Sequence, residues 1–108
     1  MTNFNFLVLL QQAINEKKRI RFSYHKSGKV LGSRVVEPHA LFRHPSTGTI
    51  QVDAYQISGV SDSGFSRPNW RNFLIKYIRN LEILFDEFEI RPGYNPISTK
   101  YGNCISKV

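Results

Sequence analysis

At Arg19 the chain changes period, and that change limits what it can fold into. Before it, in NFLVLLQQAINEKK (residues 5–18), Phe6, Leu7, Leu9, Leu10, Ala13 and Ile14 recur at helical spacing. Gln11, Gln12, Asn15, Glu16 and Lys18 form the polar side. Asn3 or Asn5 can cap this helix, and Lys17 and Lys18 would complement the dipole of its last turn. After it, in RIRFSYH, Ile20, Phe22 and Tyr24 alternate with Arg19, Arg21, Ser23 and His25. That is the pattern of a strand with one face in a core and one in water.

The alternation then recurs between turn signals. KSGK is a turn, with Gly28 supplying the permissive dihedral. VLGSRVVEP is the returning strand, and Gly32 marks a bulge. HALFRH and TIQVDAYQI flank PSTG, a hairpin signal, and Ile50, Val52 and Ala54 alternate with Gln51, Asp53 and Tyr55. ISGVSDSGFSRPNW (57–70) reads as a long loop. RNFLIKYI and NLEILF read as two further strands with a kink near Tyr77–Asn80; RPGYNP is irregular, and the tail from Ile97 is either a short helix or a strand. Pro38, inside SRVVEPHALF, lacks a backbone donor, so a central strand is expected to end or bend there, at a corner. The expected fold is mainly β: one N-terminal helix and five or six short antiparallel strands in a small, closed or partly open barrel.

The chain's 108 residues are the size of one domain, expected to span 1–108, with a core over about 6–88 and a C-terminal extension at 89–108. No apolar run is long enough to span a membrane. FNFLVLL is followed by NEKKR rather than by a small-residue cleavage site, so a signal peptide is rejected. The one cysteine, Cys104, has no partner for an internal disulfide, which suits a reducing cytoplasm. His25, His39, His44 and Cys104 form none of the motifs HExxH, CxxC or GxSxG, and no P-loop is present. The expectation is a chain that is not an enzyme, with no metal and no cofactor.

Net charge is +7. Residues 1–36 hold Lys17, Lys18, Arg19, Arg21, Lys26, Lys29 and Arg34 against one acid, Glu16, whereas residues 82–89 hold Glu82, Asp86, Glu87 and Glu89 and no base. Such a distribution implies a positive patch that attracts phosphate polymers or anionic ligands, or a solvated face that keeps the protein soluble. Candidate binding residues follow from the chemistry of anion and base recognition. Arg34 offers a planar fork for phosphate; Arg71, Lys76 and Arg79 add charge; Tyr24, Tyr55 and Trp70 can stack bases; His39 can donate to phosphate or a base edge. Each also has a plain structural reading. Tyr24 shares a face with Ile20 and Phe22; Arg34 can form a buried pair with Glu37 or Asp53; His39 can satisfy a nearby backbone group; Trp70 can plug one end of the barrel.

The ordered series QQAINEKKRIRFSY, SRVVEPHAL, VDAYQ and WRNFLIKYIRNLEIL resembles the WYL domain over roughly residues 7–88. The resemblance implies an SH3-like or Sm-like barrel and a ligand-sensing module of bacterial regulators. It implies binding of nucleic acid, often single-stranded, or of a nucleotide-like effector. The matching residues are Tyr24, Arg34, Pro38 and Tyr55. The tripeptide that names the family falls on Ile50, Gln51 and Val52, and a later family arginine falls on Tyr77, beside Lys76. No helix-turn-helix accompanies the barrel in this sequence. The alternative is a protein-interaction or oligomerisation module that forms a homo-oligomer or docks on a separate regulatory protein. In that case RPGYNP and residues 97–108 are the docking element, and truncation after Phe88 leaves the barrel folded.

Overall fold

The structure, a computed structural model, describes residues 4–29, 31–61, 64–65 and 68–108. In chain order it runs α1 (Phe4–Glu16), β1 (Lys18–Tyr24), β2 (Ser33–Arg43), β3 (Ile50–Ser61), β4 (Gly64–Phe65) and β5 (Asn69–Leu74). A 3-10 turn (Ile75–Tyr77), β6 (Ile78–Glu87), a second 3-10 turn (Thr99–Tyr101) and β7 (Cys104–Lys107) follow. The helix stops before the two lysines expected in its last turn. Lys17 takes φ 51°, and Lys18 already belongs to β1. The expected loop over 57–70 is shorter, because β3 continues to Ser61 and β4 pairs with its end; residues 62–63 and 66–67 lie outside the described residues. The undecided tail contains both a helical turn and a strand.

All strand pairs are antiparallel, and β2 is their hub. It pairs β3 along most of its length, β1 through Ser33–Val36, and β7 through Ala40–Phe42. Of the two outcomes expected at Pro38, an end or a bend, the strand does not end there. It lies in the gap where β1 has left and β7 has not yet arrived, so no ladder on that side needs its missing N–H. The bend is made one residue later. Pro38 is opposite Ala54 and Ala40 is opposite Asp53, so His39 is the extra residue of a β-bulge. Gly32 is not at a bulge; it precedes β2, and a Cβ there would crowd Val60.

β5 pairs the far side of β3, and β6 pairs β1. One three-residue turn joins β5 to β6, so the two ends of the sheet are neighbours in the chain. No ladder links them among the described residues, and the sheet is open rather than a closed barrel.

Alternation sorts the sheet into two faces. One carries Ile20, Phe22, Val36, Leu41, Val52, Ala54 and Phe73, which pack with Leu10, Ala13 and Ile14 of α1 as the main core. The other carries Ala40 and Phe42, and the C-terminal segment covers it with Tyr94, Tyr101 and Cys104. Val108 N–H donates to His39 O (2.9 Å), and Phe88 N–H to Lys17 O (2.8 Å). Residues 89–108 are therefore built into the sheet's second face. A chain cut after Phe88 loses β7 and that cover.

Two glycines with positive φ test the packing against the backbone term. Gly59 (φ +101°) meets the Ser33 carbonyl oxygen and Arg34 Cα where a side chain would begin, while Gly28 (φ +81°) has nothing within 4 Å. Gly28→Ala should cost about 1 kcal/mol of stability for its backbone alone. Gly59→Ala should cost at least about 3 kcal/mol, because β2 and β3 must also separate locally. Equal melting temperatures for the two variants would show that the close approach at Gly59 is unimportant.

Candidate ligand sites on the two faces of the sheet

The candidate residues do not meet at one place. Tyr24 and Arg34 lie on the helix-covered face. Arg34 is only 4% exposed, and its guanidinium sits 5.6 Å from the ring centres of both Tyr24 and Phe73. Its Nη1 donates to Gln56 Oε1 (3.4 Å). Tyr24 is buried too. Its hydroxyl accepts from Leu74 N–H (3.0 Å), and burial raises its pKa above the ordinary value. Neither expected acid partner of Arg34 is drawn to it. Glu37 and Asp53 face the other side of the sheet and are held by other residues.

Glu37 is 0% exposed and receives Arg91 through Nε (2.6 Å) and Nη2 (3.0 Å), and Arg19 through Nε (3.0 Å). Its carboxylate raises the Arg91 pKa, chiefly through these hydrogen bonds. Asp53 accepts from Tyr101 Oη (2.6 Å), Lys100 Nζ (2.6 Å) and Asn72 Nδ2 (2.8 Å). Between these two carboxylates lie His39, Tyr55 and Trp70. Trp70 stands opposite Tyr55 in the ladder, stacks near Tyr94 at 6.3 Å, and donates Nε1–H to Pro92 O (3.3 Å). Arg91 covers the Tyr55 ring at 4.6 Å. A cavity of about 370 Å³ opens here, lined by Asp53, Trp70, Arg71, Tyr94, Lys100 and Tyr101 among others. Burial pushes the Tyr94 hydroxyl up to about 12, which keeps it protonated.

His39 is 0% exposed, between Trp70, Phe88 and Tyr94. Its Nδ1 lies 2.8 Å from Glu37 O, an acceptor only, so Nδ1 carries the proton. Nε2 then accepts from Arg91 N–H (3.1 Å). The ring is neutral and fully used; it satisfies backbone groups and offers nothing to a ligand.

Lys76 and Arg79 mark a third place, the corner at the 3-10 turn. Tyr77, half-buried, packs against Tyr24 and has Lys76 Nζ at 5.2 Å and Lys26 Nζ at 5.9 Å from its ring centre. Arg79 donates to the carbonyls of Lys76 and Ile78. Among the described residues no carboxylate pairs with Lys26, Lys76 or Arg79. The basic strip of β1 is different. Lys18 pairs with Glu87 (3.6 Å), Arg19 with Asp86 (3.7 Å) and Arg21 with Glu82 (2.5 Å). Three of the acids of residues 82–89 lie against β1, so the β1 part of the patch implied by charge counting is paired. At the corner, among the described residues, three cations stand together without a carboxylate partner. The sequence reading missed Lys26 and Tyr77 there, and Tyr94 and Lys100 in the cavity. Only the ladder of β1 with β6, and the return of the C-terminal segment, bring these residues to their places.

A family model described as WYL domain matches residues 5–83. The chain belongs to the WYL domain family. WYL domains are in general ligand-sensing modules of regulators. No curated protein matches the chain. The match covers α1 through most of β6, including Arg34 and the Tyr77 corner, and stops before the segment that covers the second face. Among the described residues there is no cluster of His, Cys, Asp and Glu that would hold a metal, and no helix is long and apolar enough to cross a membrane.

Burial lowers the His39 pKa below its ordinary value of about 6.5. The unfolded chain then binds the proton more readily than the folded one. Stability is complete above about pH 6.5 and is lost as pH falls from there toward the depressed folded value, at up to about 1.4 kcal/mol per pH unit. Denaturant unfolding between about pH 7 and pH 5 should show this slope. His39→Leu should be less stable throughout and lack the slope. The same slope in that variant would place the acid sensitivity elsewhere.

Proposed function

We infer that this WYL domain is a non-catalytic sensing module that binds single-stranded nucleic acid or a nucleotide-like effector on an SH3-like or Sm-like scaffold. The observation that carries the reading is the corner: a half-buried aromatic, Tyr77, with Lys26 and Lys76 over its ring and Arg79 beside it. A ring flanked by cations offers a base a stacking surface and its phosphate a counter-charge. Tyr24 packs against Tyr77 from the core side, and Arg34 lies over the Tyr24 ring.

Binding of fluorescent single-stranded DNA and RNA, read by anisotropy at several salt concentrations, tests this. With three cations engaged, the slope of log affinity against log salt should be about −2. Lys76→Gln and Arg79→Gln should each weaken binding and reduce that slope by about 0.7. Arg21→Gln should change little, because Arg21 is occupied by Glu82. No binding, or equal effects of all three variants, would sink the reading.

A second reading, a protein-interaction or self-association module, is favoured by one observation. Among the described residues β6 pairs only β1, and it presents Phe85, 92% exposed, with Lys18 over its ring. Such an edge can extend a partner's sheet. Solution mass that rises with concentration in the native chain and not in Phe85→Ser would support it.

A further inference from the structure

Residues 89–95 follow β6 across the second face as a strap outside any strand or helix. Glu89, Ile90, Pro92, Gly93 and Asn95 are exposed; Arg91 and Tyr94 are the two that are partly buried. Both rest on His39. Arg91 gives its N–H to Nε2 (3.1 Å), and the Tyr94 ring lies 5.2 Å from the imidazole. Space is left beside the strap. Residues 87–92 line a cavity of about 320 Å³ with Arg19 and Glu37, and residues 93–95 line the cavity of about 370 Å³. The strap is thus fastened at its middle more than it is packed along its length. The chain on either side is fixed separately, by Phe88 N–H on Lys17 O and by the Tyr101 hydroxyl on Asp53.

We propose that this strap is a proton-operated clasp, in which protonation of His39 releases residues 89–95 locally while the sheet and its helix-covered core stay folded. The device stands apart from the basic corner and does not depend on what binds there.

The two ring nitrogens supply the mechanism. Nδ1–H donates to Glu37 O, so Nε2 is the acceptor, and the Arg91 N–H is what it accepts. A second proton can go only to Nε2. It turns the acceptor into a donor aimed at another donor, and the bond to Arg91 is lost. The charges around the ring act in the same place. The Arg91 guanidinium repels an imidazolium, whereas Glu37 on β2 and Asp53 on β3 attract one. Asp53 is already held by Lys100, Tyr101 and Asn72, and Glu37 by Arg19 and Arg91. An imidazolium beside Glu37 therefore competes with Arg91 for one carboxylate. Tyr55 lies under the Arg91 guanidinium, and Glu89, on the strap itself, acts on Arg91. Burial keeps the Tyr94 hydroxyl protonated, so it adds no charge.

The direction follows by linkage. Under the closed strap, burial holds the His39 pKa below its ordinary value; lifting the strap wets the ring and returns it to about 6.5. The open form binds the proton more tightly. Above about pH 6.5 the closed form keeps its full advantage. Below that, opening grows by up to about tenfold per pH unit until the closed ring itself titrates.

Amide hydrogen exchange on the full chain tests this, with rates corrected for the intrinsic pH dependence of exchange. The Arg91 N–H reads the strap, and the N–H groups of Phe22 and Val52 read the core. Protection at Arg91 should fall by up to about tenfold per pH unit between about pH 6.5 and pH 5. It should also be insensitive to low urea, the mark of a local opening that exposes little surface, while protection in the core falls with urea. His39→Gln can still donate to Glu37 O and accept from Arg91 N–H but gains no proton, so its Arg91 protection should lose the pH slope. The native-chain measurement decides the matter alone if that variant folds poorly. Arg91 protection that is flat with pH, or as sensitive to urea as the core, overturns the clasp. So does an unchanged slope in a folded His39→Gln chain.

Discussion

The Glu37 carboxylate has no contact with water, and the rest of the second face is arranged around it. An isolated carboxylate cannot remain charged at such a depth; it must be paired and hydrogen-bonded. Arg19 arrives from β1 and Arg91 from the segment after β6, so one buried charge ties together three parts of the chain that are far apart in sequence. The same Arg91 gives its backbone N–H to His39 and its guanidinium face to Tyr55. Removing the segment after Phe88 would strip Glu37 of its bidentate partner and expose His39 as well. The C-terminal residues thus complete an electrostatic requirement already set in β2.

The His39 bulge and this ion cluster are two results of one event. The extra residue in β2 turns Ala40 and Phe42 to the second face while Leu41 stays with the helix-covered core. Pro38 marks the place without causing the bend. Its ring is tolerated because the neighbouring ladder changes from β1 to β7 across it. From sequence, a proline in a β-branched run gives the position of an irregularity. Whether the strand stops or bulges depends on which strands stand beside it, and those are set by contacts tens of residues away.

That limit explains what was legible. The helix, the two hairpins and the strand pair after Trp70 follow from period and turn residues, which are local. The covering of the second face was not legible, because RPGYNP has no period and its role comes from Arg91, Pro92 and Tyr94 reaching β2 and β5. Charge misled for the same reason. Lys18, Arg19 and Arg21 look like a binding strip until β6 brings Glu82, Asp86 and Glu87 alongside in antiparallel register. Exposed pairs of this kind stabilise little, typically under about 1 kcal/mol each, yet each sets an opposite charge beside a base of the strip.

Tyr77 shows how a position can change its residue and keep part of its physics. The resemblance places a family arginine there, and a tyrosine at this position in the 3-10 turn carries no charge. In the folded chain Lys76 from the same turn and Lys26 from the β1–β2 turn place positive charge near the ring. Cation and aromatic plane, which one guanidinium would supply together, are divided among three side chains. The division has a chemical consequence. Two ammonium groups on flexible stems act as point charges and do not impose the bidentate geometry of an arginine fork, whereas the fixed ring imposes stacking. If the corner binds a nucleotide as proposed, this arrangement favours a flat base more strongly than a fixed orientation of its phosphate.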